Sequence, residues 1–430
     1  MKAFKFISLL IVVSLSGCSG RKSKKDDTGQ PTPTQQPEPT ANNPDGSSVP
    51  TQPPSSTDQV PPPAGAEDAS SSLKKAIRDI VMELKGKPDF LIGLGHTGGG
   101  GFADQGIKID IYYAYLCCGY ADQGWAGWQP EGRFVDSIVK IADDNGAVPM
   151  FTYYQLALVM EQTNYRIFES EDLVKYLKDV KLMYTRLGAY GKSSMVHFEP
   201  DFFGYLQQHV TKNSLSVDTM KAVIHGSDFH DCDHLNQTVA GLLQCLIDMG
   251  RKLSPKTKIA FSSSSWGDWY DDSNPNVDVA KYAASVGAFL NKVSMGKTDF
   301  VIVETLDRDA GFHEIQNPKG KYYWDESNKT YPNFQSHLKW VKALVSTMGK
   351  PAVFWQTPLG VPSDTRGGSN GAYRDNRVRY FFSHINELVD AGVFGALFGA
   401  GADGQTTIKN DGGQFKNAAA AYMSSPYEIK

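Results

Sequence analysis

Cysteine is scarce, five in 430 residues, which excludes the small folds held together by many disulfides. An excess of one charge is missing too. Lys and Arg number 43 against 47 Asp and Glu, a net charge of −4. That balance lacks the basic footprint nucleic acids require, so no nucleic-acid partner is expected. Long apolar runs are also absent: the stretch from Phe6 to Leu15 is too short to span a bilayer comfortably. Glycine is not lacking, yet Gly93-Leu94-Gly95-His96-Thr97-Gly98-Gly99-Gly100-Gly101 is followed by no helical period before the apolar run at Ile109. A dinucleotide-binding turn needs that helix. The segment from His225 to His234 holds three His, three Asp and Cys232, but in no spacing that a metal template requires. Neither a metal nor a cofactor is expected.

The chain opens with Lys2 and Lys5, then the short apolar stretch, then Leu15-Ser16-Gly17-Cys18. Small residues before a cysteine resemble a bacterial lipoprotein signal. The resemblance implies cleavage before Cys18, lipidation of Cys18, and a lipid-anchored protein of the bacterial cell envelope, at the outer membrane or cell surface. Loss of Lys2 and Lys5 takes the formal charge to −6. Of the 23 prolines, 11 fall between Pro31 and Pro63. A segment of that composition buries too little apolar surface to order itself and reads as a spacer. The expected division is therefore a signal peptide at 1–17, a disordered linker at 18–72 and one domain at 73–430.

In an oxidising compartment four further cysteines matter. Pairing of Cys232 with Cys245 is favoured because it ties an acidic, His-containing loop to the helix that follows. Adjacent Cys117 and Cys118 could form only a strained ring, so free, buried thiols are expected there.

Eight apolar runs punctuate the domain: 89–95, 109–116, 147–154, 194–199, 258–263, 299–304, 351–356 and 393–399. Most are short and nearly continuously apolar, as strands buried on both faces are. Helical periods lie between most of them. Leu173, Tyr176, Leu177, Val180, Met183, Tyr184 and Leu187 form the clearest stripe. Further helices are predicted from Phe134 to Asn145, Val239 to Met249, Val277 to Val293, Phe334 to Met348 and Val378 to Ala391. Strand, helix and glycine repeated eight times predict an α/β fold, a single (β/α)8 TIM barrel with enlarged loops.

Two runs end in an acid: Met195-Val196-His197-Phe198-Glu199-Pro200-Asp201 and Phe300-Val301-Ile302-Val303-Glu304-Thr305. Barrel enzymes build their sites at the C-terminal ends of strands. Glycosidic bonds are cleaved between two carboxylic groups, one protonating the leaving oxygen and one attacking or activating water. Glu199 as general acid and Glu304 as nucleophile or base fit that need. His197 and Asp201 flank the first; Asp307 and Asp309 follow the second. Other strand ends bring His96, Tyr153, Tyr154, Gln155, Trp266, Trp269, Trp355 and Gln356, and Asp375 opens an Asp-Asn-Arg piece. Aromatic faces pack on sugar rings while amides and carboxylates take hydroxyls. A polysaccharide or oligosaccharide is thus the expected partner, besides the membrane.

With these residues the chain resembles the barrel glycoside hydrolases. It is more closely similar to a group of uncharacterised secreted barrel proteins that share His-Phe-Glu-Pro-Asp-Phe-Phe-Gly-Tyr-Leu-Gln, Glu-Thr-Leu-Asp-Arg-Asp-Ala-Gly, Trp-Gln-Thr-Pro-Leu-Gly and Asp-Asn-Arg. The similarity covers most of residues 88 to 424 and implies the barrel. Against the large retaining clan there are departures: Phe198 stands where those enzymes carry Asn before the acid, and Gln356 where they carry the nucleophile. Glu199 matches the acid position by strand alone, and Glu304 is chosen from its own setting. A carbohydrate-binding barrel without catalysis is the alternative, and a structural envelope protein a third reading.

Overall fold

The computed structural model describes residues 66–96, 101–157 and 165–430. The expected signal peptide, Cys18 and the linker up to residue 65 lie outside the described residues. Residues 66–72, placed in the linker by composition, instead begin helix α1, Ala66–Lys85. Ile77, Ile80, Val81 and Leu84 give it a buried apolar stripe, which anchors the helix on the domain.

The eight apolar runs are strands β1 Leu91–Gly95, β2 Ile111–Cys117, β3 Val148–Tyr154, β4 Ser194–Phe198, β5 Thr257–Ser263, β6 Phe300–Glu304, β7 Ala352–Thr357 and β8 Val393–Phe398. All pair in parallel with their sequence neighbours, and β8 pairs with β1, closing the barrel. Such strands are sealed inside by side chains from across the barrel and outside by helices, so little polar alternation survives in their sequences.

The outer layer comprises α2 Phe134–Asp144, α3 Asp172–Tyr190, α4 Phe202–Lys212, α5 Val239–Leu253, α6 Val279–Ser294, α7 Ala310–Gln316, α8 Phe334–Met348, α9 Arg377–Ser383, α10 Ile385–Asp390 and α11 Gln414–Ser424. Their ends carry the expected punctuation. Thr238 and Asn333 accept hydrogen bonds from the backbone N–H groups of Gly241 and Ser336. The predicted helix from Val378 to Ala391 is broken in two at His384. Its Nδ1 lies 2.9 Å from the Tyr380 carbonyl, the acceptor that a continuous helix would need.

Inside the barrel, Trp355 of β7 meets His197 of β4 at 4.6 Å and Tyr115 of β2 at 5.7 Å between ring centres. Neither β2 nor β4 is a neighbour of β7, so these side chains point inward and form a tier near the C-terminal mouth. Tyr153 faces the other way, packing on Trp125, Tyr176 and Phe198. A Cβ at Gly95 or Gly399 would overlap the Tyr113 ring, which accounts for glycine at the ends of β1 and β8.

Both described cysteine pairs are bonded. Cys232 is joined to Cys245 as the loop-and-helix argument anticipates. Cys117 is joined to Cys118, which corrects the expectation of free thiols. Cys118 has φ +80°, and this left-handed turn at the end of β2 brings neighbouring sulfurs together.

Candidate active site

Glu304 ends β6 and is half-buried at the mouth. Gln356, at the end of β7, donates from Nε2 to Glu304 Oε1 at 3.3 Å and to the Asp307 carbonyl at 3.2 Å. Tyr115 donates to the Gln356 amide oxygen, completing a chain from β2 through β7 to β6. Gln356 has φ +55°, so it departs from strand alternation and reaches the mouth although Trp355 beside it also points inward. Burial, and then the nearby negative charges of Asp201 and Asp307, push the Glu304 carboxyl well above its ordinary pKa.

A second carboxylate near Glu304 is that of Asp201, in the turn after β4. It is close enough to act on both Glu304 and Tyr115, and its Oδ2 lies 3.5 Å from the hydroxyl of Tyr154, which with Tyr115 lines the same side. Asp307 is held by His313 Nε2 at 2.7 Å and by Arg308. Burial alone would raise its pKa, but these partners outweigh it and keep Asp307 below the usual carboxylate value.

Glu199 is not at this mouth, and the expected Glu199–Glu304 pair is corrected accordingly. Its side chain is fully buried. One oxygen accepts from the backbone N–H groups of Gln155, Leu156 and Ala157 at 3.0, 2.8 and 3.3 Å. Its neighbours Tyr120, Tyr153 and Tyr176 belong to the layer between barrel and helices. The cause is local: Glu199 and Asp201 have φ +56° and +65° on either side of Pro200. This double left-handed turn sends Glu199 behind the strand and turns Asp201 toward Tyr154. Burial raises the Glu199 carboxyl to about 8, against the pull of the three amides.

The other expected ligands divide. Tyr154, Asp201, Asp307 and Gln356 gather around Glu304, with Trp355 and His197 in the tier beneath. His197 approaches Thr152 Oγ1 at 3.3 Å, and burial lowers its pKa to about 3, so the imidazole is neutral. The buried Tyr113 hydroxyl, His197 Nε2 and Trp355 Nε1 retain unspent hydrogen-bonding capacity below the mouth. Trp266, half-buried after β5, packs on Tyr205 of α4, and Trp269 is 54% exposed at the rim.

Five assignments are corrected. Tyr153 is core. Gln155 spends its side chain on Gly119, accepting from its N–H at 3.1 Å and donating to its carbonyl. His96 pairs with the Tyr112 hydroxyl at 2.6 Å and sits edge-on to Phe134 of α2, away from Glu304. Asp309 is buried, accepts from the Thr406 N–H at 2.7 Å, and is raised to about 7 by burial and then by Asp375. Asp375 accepts from Ala310 N at 2.8 Å and from the fully buried Arg377 at 3.0 Å, tying the loops after β6 and β7 together. Tyr115, one of the aromatic residues of the β2 run, does reach the site; Arg308 and His313 were not expected there, and no local sequence signal marks His313.

The acidic His-containing loop is internally occupied. His225 Nε2 lies 3.0 Å from the Leu235 carbonyl, His230 pairs with Asp233 and His234 with Asp248. A surface cavity of about 540 Å³ between the loops after β6 and β7 includes Glu314 and Glu326, but these are already paired with Arg374 and Arg379.

No family model matches the chain, and no curated protein matches it. Among solved structures it is similar to a GH26 beta-mannanase from Bacteroides ovatus, with 10% identity, 84% of this chain and 96% of that one covered, and a TM-score of 0.42. Similarity to endo-glycoceramidase II from Rhodococcus sp. covers 76% and 78% of the two chains at 9% identity and a TM-score of 0.40. D-psicose 3-epimerase is similar at 10% identity, 78% and 98% coverage and a TM-score of 0.39. Likenesses of this size carry no reading of the chemistry.

Proposed function

We propose that the protein is a glycoside hydrolase acting on a polysaccharide, with Glu304 as general acid and Asp201 as the opposing carboxylate. The observation that carries this is the gathering at one end of the barrel of Glu304, held by Gln356 and through it Tyr115, and of Asp201, beside Tyr154, whose ring packs near Tyr115. A raised Glu304 holds its proton to higher pH than an ordinary carboxyl, the direction a leaving-group acid needs. Gln356 and Tyr115 orient it. The aromatic sides supply faces for sugar rings, and Asp307, with His313 and Arg308 behind it, offers a polar acceptor.

Reducing-end release from a panel of plant, fungal and bacterial polysaccharides tests this. Wild type should cleave at least one, and Glu304→Gln should lose about 10²–10⁴-fold in rate on it. The wild-type rate should fall on the alkaline side as Glu304 gives up its proton. A Glu304→Gln rate close to wild type would end the assignment. A non-catalytic carbohydrate-binding barrel is favoured by one feature, the amide of Gln356 at the end of β7; it predicts sugar binding with no release by wild type. We further propose that Cys18 is lipidated and holds the protein at the cell envelope. Labelled palmitate should enter the full chain in a bacterial host and be lost in Cys18→Ser; equal labelling of both would refute the anchor.

A further inference from the structure

A bond between neighbouring residues closes no length of chain, so Cys117–Cys118 gives none of the loop-closure stabilisation that Cys232–Cys245 provides. Its place suggests another use. The alternation that turns Tyr113 and Tyr115 toward Trp355 turns Cys117 inward one level higher, in register with Tyr154 of β3. The Tyr154 hydroxyl approaches Asp201. The turn beyond the ring is pinned, because Gly119 holds the Gln155 side chain at both ends and the Gln155 backbone holds Glu199. Cys117 is buried and Cys118 half-buried, so the ring reaches solvent on its Cys118 side.

The result is a small, rigid plate of two sulfurs and their methylenes at the C-terminal end of β2, in register with Tyr154 of β3. Polarisable sulfur packs by dispersion against C–H groups, and a ring with no free rotor loses little entropy when a ligand settles on it. Pyranose rings present such C–H faces.

We propose that the Cys117–Cys118 ring is a sugar-binding platform of the mouth, on which one pyranose unit of a bound oligosaccharide packs by its C–H face. This rests on the carbohydrate reading of the mouth but not on catalysis, so binding is the readout. The probes are soluble hexasaccharides of β-1,4-linked glucose, mannose and xylose, together with the polysaccharide most active in the panel above. In the folded Cys117→Ser/Cys118→Ser double variant, the dissociation constant should rise about tenfold, with the melting temperature unchanged.

A second measurement uses wild type and does not depend on the variant folding. A saturating probe should slow reduction of the Cys117–Cys118 bond by a small thiol about tenfold, by mass action on the uncovered form. The buried Cys232–Cys245 bond serves as the internal reference. Unchanged affinity in the folded variant, or binding that leaves the ring's reduction rate unaltered, would overturn the platform alone. Failure of wild type to bind any probe would overturn the carbohydrate reading and the platform together.

Discussion

Glu199 and Asp201 stand two positions apart and do opposite work. Simple strand alternation assigns Glu199 to the mouth; its φ of +56° reverses that assignment. A left-handed non-glycine residue is set by tertiary contacts, here the amides of residues 155–157, and leaves no mark in the sequence beyond Pro200. Glu199 is therefore a clamp for the loop after β3. Glu199→Ala should leave three buried N–H groups without an acceptor and cost about 3 kcal/mol in denaturant unfolding; a loss below the error of that measurement would refute the clamp. The sign of its pH effect follows from the carboxyl being raised to about 8 from an ordinary 4.5. The folded state holds a proton that the unfolded chain gives up, so this contribution is full below 4.5 and fades as pH rises toward 8. Glu199→Gln should abolish that fade.

Among the elements, all eight strands were legible, because a strand sealed on both faces has to be apolar along its length. Helices with long stripes, such as α3 and α8, were legible for the related reason that one face lies on the barrel. What escaped lies where short-range rules compete with local contacts. Helix α4 starts immediately after the Glu-Pro-Asp turn and α7 immediately after the acidic loop of β6, so their first residues read as loop. The stretch from Val378 to Ala391 keeps a helical period across the break at His384, because the period reports which face is buried and not whether the hydrogen-bond ladder is continuous. The two acidic ends of β4 and β6 were visible. Which side chain of each reached the mouth was not, since that depends on turn geometry after the last strand residue.

At the scale of the whole molecule, closure of β8 onto β1 makes a site from residues far apart in sequence. Tyr115, Asp201, Glu304 and Gln356 come from four different strand ends and share one opening only because the barrel closes. Asp375 with Arg377, and Asp309 with Thr406, brace the loops that rim it. That bracing explains why acids which looked available in sequence are fully spent in the fold. In the proposed site Asp201, not Glu199, is the partner of Glu304. The most direct test is to measure reducing-end release by Asp201→Asn on the polysaccharide that wild type cleaves, with melting temperatures recorded alongside. We predict a loss of about 10²–10⁴-fold with the melting temperature of wild type; a rate within about twofold of wild type would contradict it.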